Sequence, residues 1–166
     1  MSRRMPISNL TVLGVDPGIG RVGYGVVRSH GSTLTLVACG VSETSKRLPV
    51  GQRLASIRNE LTTLMSTHHP HRIALEKLYF SKNVTTAMTV GEARGAIQLV
   101  AADARVPVME YAPSHVKQAV TGYGNADKRQ VQRMVQVLFK LKAAPRSDDA
   151  ADAVAIAVCG SHRLPL

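Results

Sequence analysis

Residues 10–41 read LTVLGVDPGIGRVGYGVVRSHGSTLTLVACGV, and this stretch sets the architecture. Leu10–Asp16 is apolar and β-branched, and Asp16-Pro17-Gly18 closes it with turn chemistry. Val22–Arg28 (VGYGVVR) and Thr33–Val41 (TLTLVACGV) follow, separated by the turn His30-Gly31-Ser32. Connections this short predict antiparallel neighbours, because a parallel pair needs a crossover of about a dozen residues.

Beyond residue 41 the hydrophobic period changes. Leu54, Ile57, Leu61, Leu64 and Met65 recur at helical spacing, between Pro49 near the start and Pro70 at the stop. Arg72–Leu78 reads as a buried strand, and Thr85/Thr86 as caps of a long helix running to about Arg105. Val106–Tyr111 is a further strand, Ser114 caps a short helix, and a basic amphipathic helix runs from about Asp127 to Lys140. After Pro145 the Ala-rich segment Asp148–His162 is helical. The order βββαβαβααα predicts an α/β fold: a five-stranded mixed sheet, its first three strands antiparallel, flanked by helices. A right-handed crossover sets the fourth strand parallel beside the first. No repeat or linker interrupts the chain, so residues 1–166 read as one domain.

The chain carries 21 Lys plus Arg against 11 Asp plus Glu, a formal net charge of +10, which points to a polyanionic partner. Hydrophobic residues at 45% exclude a disordered chain, and 166 residues are too few for a TIM barrel of about 250. Cys39 and Cys159 are far apart and read as apolar packing residues in a reducing compartment. The basic start lacks the apolar core of a signal peptide, and the longest apolar run, Ala153–Cys159, is too short to span a bilayer. A cytoplasmic protein with no membrane partner is expected.

With so few acids, their placement is informative. Asp16 and Glu76 each close a strand; if those strands are parallel neighbours, the two carboxylates stand about 4.8 Å apart, strand to strand. Asp149 and Asp152, three residues apart, share a face of the last helix, and Asp148 with Asp152 is an alternative pair. Asp148 and Asp149 also suit a helix amino terminus on dipole grounds alone. Asp152 does not, since it lies inside the run AADAVAI and needs a partner there. A hard divalent cation is such a partner, and two ions about 3.5–4 Å apart hydrolyse phosphodiesters.

Five blocks in this order resemble the bacterial RuvC Holliday junction resolvases: VLGVDPGIGRVGYGVV (12–27), ALEKLYFSKN (74–83), GEARGA (91–96), YAPSHVKQAVTG (111–122) and DAADAVAIA (149–157). The resemblance spans about residues 10–162 and implies an RNase H-like fold and a homodimer. It also implies paired symmetric nicks in four-way DNA junctions, made with Mg²⁺, two ions per site, or Mn²⁺. It carries an acidic tetrad over to Asp16, Glu76, Asp149 and Asp152 as catalytic metal ligands, resolving the Asp148-Asp149 register towards Asp149. RuvA and RuvB, branch-migration proteins, are the implied protein partners.

The resemblance further marks Tyr79 as an aromatic wedge and Lys117 and Lys128 as phosphate contacts. The stretch 105–146 holds eight basic residues and two acids, which adds Arg129, and Lys82 follows Tyr79 and Phe80 in the same loop. Such contacts position a duplex without reading its sequence. The tract His68-His69-Pro70-His71 reads as a helix carboxyl end rather than a metal site. Gly91 and Gly95 form a small-residue face that either packs within the chain or joins two copies. Two alternatives stand beside the nuclease. One is an actin-like phosphotransferase on ATP, disfavoured by the missing second lobe; the other is an inactive junction-binding module, disfavoured by an intact tetrad.

Overall fold

The computed structural model describes residues 9–78 and 84–162. Strands β1 (Asn9–Asp16), β2 (Arg21–His30) and β3 (Thr33–Glu43) are followed by α1 (Val50–His68), β4 (Arg72–Glu76), α2 (Val84–Asp103) and β5 (Val108–Tyr111). Helices α3 (Pro113–Thr121), α4 (Lys128–Leu138) and α5 (Asp148–Ser161) complete the expected order. The strands form one sheet in the order β3-β2-β1-β4-β5. β1, β2 and β3 pair antiparallel, whereas β4 pairs parallel with β1 and β5 parallel with β4.

Several boundaries differ from those expected, each for a local reason. β4 ends at Glu76 rather than Leu78, because its neighbour β5 ends at Tyr111; the Lys77 N–H donates to the Tyr111 carbonyl at 2.7 Å as the last rung. β5 starts at Val108 rather than Val106, since Pro107 has no N–H to give the ladder. α2 stops at Asp103, and Arg105 then turns into the left-handed region at φ 56°. α2 begins at Val84, which places Thr85 and Thr86 inside its first turn and not at a cap. Ser114 does not cap α3: Ala112 holds that position and Pro113 opens the helix, its missing N–H being harmless there. Asp127 is the N-cap of α4, in a reciprocal capping box with Gln130, and Ser147 is the N-cap of α5. His69 terminates α1 in a left-handed C-cap, as expected of the His tract, and the His71 Nδ1 accepts from the Thr11 N–H at 3.0 Å.

Alternation along the strands sorts the core into two layers. Leu13, Val15, Ile73 and Leu75 pack with Ile57 and Leu61 of α1 and Ala93 and Ile97 of α2. Val12 and Ala74 lie on the other face, with Val154–Cys159 of α5 and Val116 and Val131 of α3 and α4. Both cysteines pack into this second layer, Cys159 buried and Cys39 at its margin.

What lets α5 cover β1 and β2 is missing side chains. A Cβ on Gly14 would sit 2.5 Å from the Ala157 nitrogen and 2.8 Å from its Cβ, and would strike the Ala153 carbonyl. A Cβ on Gly25 would sit 2.7 Å from the Val154 Cα, and one on Gly23 would strike the Asp149 carbonyl. The helix therefore lies on strand main chain, and 11 of its residues are buried. Gly14→Ala is expected to cost about 2–3 kcal/mol by overpacking. Gly51→Ala, in the first turn of α1 with nothing within 4 Å of the added atom, should be neutral or gain roughly 0.5–1 kcal/mol. Urea unfolding of both checks this; a parental midpoint for Gly14→Ala would refute the close approach.

Candidate active site

The same alternation builds the site. Asp16 is in phase with Val12 and Gly14, and Glu76 is in phase with Ala74, so both carboxylates belong to the face that α5 covers. Gly14 is registered with Ala74 and Val15 with Leu75, and the next step of that register sets Asp16 beside Glu76. Across the antiparallel pair Asp16 faces Gly23, the residue against which the Asp149 backbone lies. α5 brings Asp148 and Asp149 in its first turn and Asp152 one turn on.

Three of these acids, Asp16, Glu76 and Asp152, are pushed upward. Burial pushes the Asp16 carboxyl up to about 7, and the charges of Asp152, Asp149 and Glu76 add to this against an opposing Lys128. Burial raises Glu76, as does Asp152, while Lys117 opposes. Burial also raises Asp152, with Lys128 pulling the other way. Asp148 behaves differently: hydrogen bonds from Gln132 and Lys128 hold its exposed carboxyl below the usual range. Asp16, Glu76, Asp152, Lys117 and Lys128 line one cavity of about 220 Å³, walled on its apolar side by Ile156 and its neighbours.

Two cations hold the rim. The Lys128 ammonium lies 3.3 Å from an oxygen of Asp148 and 3.3 Å from one of Asp152, and Gln132 donates to Asp148 at 2.7 Å, tying α4 to α5. Arg21 lies 3.2 Å from Asp149 and 3.3 Å from Glu43, and it donates to the Ser147 hydroxyl at 3.3 Å. As the side chains stand, no three metal-ligating groups among the described residues converge on one point. Like-charge repulsion spreads the carboxylates, and Asp149 and Asp152 turn to Arg21 and Lys128. The donor set nonetheless fits a hard divalent cation: it is all carboxylate oxygen and partly desolvated, and among the described residues Asp16 and Glu76 have no ion-pair partner.

Of the DNA contacts expected from sequence, Lys117 and Lys128 face this cavity, and Arg129 is exposed in the first turn of α4. Tyr79, Phe80 and Lys82 lie outside the described residues. Three participants were not foreseen. Gln132 and Arg21 are exposed or half-exposed polar residues with nothing in sequence to single them out, although the β2–β3 register does pair Arg21 with Glu43. The third is Arg94, buried in α2, whose Nη1 donates to the Glu76 carbonyl at 2.7 Å and whose Nη2 bonds the Glu110 carboxylate. Its signal was a lone cation among Ala93, Gly95 and Ala96.

A mixed five-stranded sheet with acids at the ends of its two central strands, overlaid by an acid-bearing final helix, defines the RNase H-like class. Within it, the model of the family described as crossover junction endodeoxyribonuclease RuvC matches residues 12–160. The chain belongs to the RuvC family, whose members are metal-dependent nucleases. The curated RuvC of Roseiflexus sp. strain RS-1 is 51% identical over 93% of this chain and 92% of its own length. That of Brevibacillus brevis strain 47 is 52% identical over 90% of each. Thermus thermophilus RuvC, solved in complex with Holliday junction substrate, superposes with a TM-score of 0.86. It is 38% identical, over 90% of this chain and 92% of that one.

The electrostatics give a test that needs no substrate. In the unfolded chain Asp16 ionises near its ordinary 3.8, in the folded protein near 7. The unfolded state thus loses its proton first, so folding stability drains away as pH rises from about 4 through 7. In EDTA at pH 8, Asp16→Asn should melt about 3–6 °C above the parent, equivalent to roughly 1–2 kcal/mol at this chain length. The gap should close below about pH 4. Differential scanning calorimetry reads it, and a gap that ignores pH would refute the cause.

Proposed function

We propose that this crossover junction endodeoxyribonuclease resolves four-way (Holliday) DNA junctions by paired symmetric nicks, serving homologous recombination and DNA repair. Asp16, Glu76, Asp149 and Asp152 would hold the metal. The observation that carries this reading is the placing of Asp16 and Glu76, on adjacent parallel strand ends, with Asp152 of α5 around one cavity edged by Lys117 and Lys128, Asp149 standing one turn before Asp152. Bound divalent metal supplies an activated nucleophile and charge stabilisation for in-line phosphodiester hydrolysis. Mg²⁺, two ions per site, suits carboxylate oxygens, and Mn²⁺ shares that preference.

The chain's own residues do the rest. Burial among like charges makes Asp16 a carboxylate that gains most from a cation. Lys117, Lys128 and Arg129 hold the phosphate backbone, and Lys128 exchanges Asp148 and Asp152 for phosphate oxygens as the strand enters. Tyr79 stacks on a base at the junction centre and Lys82 contacts the backbone beside it.

Two cuts call for two sites, and α2 supports a homodimer. Met88 and Leu99 are 66% and 58% exposed, and Gly91 and Gly95 lie between them, where an added Cβ meets nothing within 4 Å. Packing within the chain therefore gives no reason for small residues there, and a second copy of α2 does. The reading takes residues 1–166 as one nuclease domain working in the bacterial cytoplasm with RuvA and RuvB. Those two partners rest on family membership alone, and no described helix is long and apolar enough to cross a membrane.

A synthetic mobile four-way junction, assayed with Mg²⁺ and with Mn²⁺ against linear duplex and single strand, tests the activity. Cleavage confined to the junction is expected, with Asp16→Asn binding normally but cutting at least about 10³-fold more slowly. Equal cleavage of all three DNAs, or an active Asp16→Asn, would overturn the reading, and ATP turnover without cleavage would favour the phosphotransferase. Gly95→Glu should convert a dimer to a monomer in sedimentation velocity and uncouple the two nicks. An unchanged dimer would remove α2 from the interface.

A further inference from the structure

We propose that Arg94 is a positioning residue for Glu76, acting on its main chain from the opposite layer of the fold; this rests on the reading of Glu76 as a metal-holding carboxylate. Among the described residues Arg94 is the one charged residue that is buried, at 8% exposure. Burying a guanidinium is costly, and an apolar side chain of similar volume generally packs as well or better. Its neighbours on α2, Ala93 and Ile97, are buried and apolar, so helix packing alone gives no reason for a cation here.

The bonds it makes supply the reason. One arm of the guanidinium donates to the Glu76 carbonyl at 2.7 Å, and the other bonds Glu110, which stands opposite Leu75 in the β4–β5 ladder. Glu76 is the last residue of β4, followed only by the rung from the Lys77 N–H to the Tyr111 carbonyl. Its carboxylate is partly desolvated and repelled by Asp152. At a strand end, a side chain under that load swings away if its main chain is free to rotate. A donor placed on the carboxylate itself would stop the swing but would occupy a ligand oxygen. Arg94 restrains the carbonyl instead, so the backbone is fixed while the carboxylate oxygens stay available.

The test compares Arg94→Met, which keeps volume, with Arg94→Lys and Glu110→Gln, using Glu76→Gln as reference. Mn²⁺ binding to the DNA-free protein is measured by calorimetry, junction affinity by gel shift in Ca²⁺, and single-turnover cleavage across a metal titration. Arg94→Met is expected to bind Mn²⁺ about 10-fold or more weakly and to need correspondingly more metal for half-maximal cleavage. Its junction affinity should stay within about two-fold, since phosphate contacts lie elsewhere. Arg94→Lys, able to keep one charged bond but not the fork, should recover part of the loss. Parental Mn²⁺ affinity in Arg94→Met overturns the proposal, and so does a cleavage defect of equal size at every metal concentration. If Arg94→Met does not fold, Glu110→Gln carries the test with a smaller shift in the same direction, and no shift there overturns it. Parental metal affinity in Glu76→Gln would instead overturn the role of Glu76 itself.

Discussion

Helix α5 rests on the backbone of β1 and β2, and this contact sets the geometry of the site. Because Gly14, Gly23 and Gly25 present no side chains, the helix comes down to the level of the strand carbonyls. Gly160 repeats the device near the far end, where a Cβ would meet Ala74 and Val12. A helix so enclosed must be built of Ala, Val, Ile and Cys, and residues 153–159 are just that. The acids are confined to its amino-terminal half, where α5 reaches the ends of β1 and β4. The distance between the two pairs of carboxylates is therefore fixed by van der Waals contact between helix and sheet, in a core too dense to flex gradually.

That placement has an electrostatic cost. Asp16, Glu76 and Asp152 are all raised, each first by burial and then by neighbouring carboxylates: Asp16 by Asp152, Asp149 and Glu76, Glu76 by Asp152, and Asp152 by Asp148 and Asp149. Lys128 and Arg21 offset part of this from the rim, as long, half-exposed side chains able to change partners. Arg94, by contrast, is buried and holds main chain. The site thus combines a rigid frame with mobile counter-charges, an arrangement suited to anionic cargo. Stability given up at functional groups is a familiar trade in enzymes.

The fold was legible because its cues were local. Alternation in VGYGVVR, the DPG stop and the helical spacing from Leu54 to Met65 each survive in the structure, as does the parallel pairing of β1 with β4. Boundaries were missed where a neighbour decided them: β4 stops because β5 does, and Ser114 lost the cap of α3 to a Pro-started turn. The acids stood out because the chain has few. Arg94 escaped notice because an arginine in a helix ordinarily faces water, and only the tertiary fold reveals that residue 94 meets residues 76 and 110. Arg21 and Gln132 were hidden for the same reason, since their partners at 148 and 149 are more than a dozen residues away in sequence.

The order of the elements also bears on synthesis. Two of the four acids proposed to hold the metal, Asp149 and Asp152, arrive on α5, after every strand has been made. A chain interrupted before residue 148 carries the whole sheet but leaves the glycine face of β1 and β2 bare, with Asp16 and Glu76 alone upon it. Such a fragment lacks two of the four acids proposed to hold the metal. The acidic cluster is thus completed by the last element made, once the sheet it packs on is already in place.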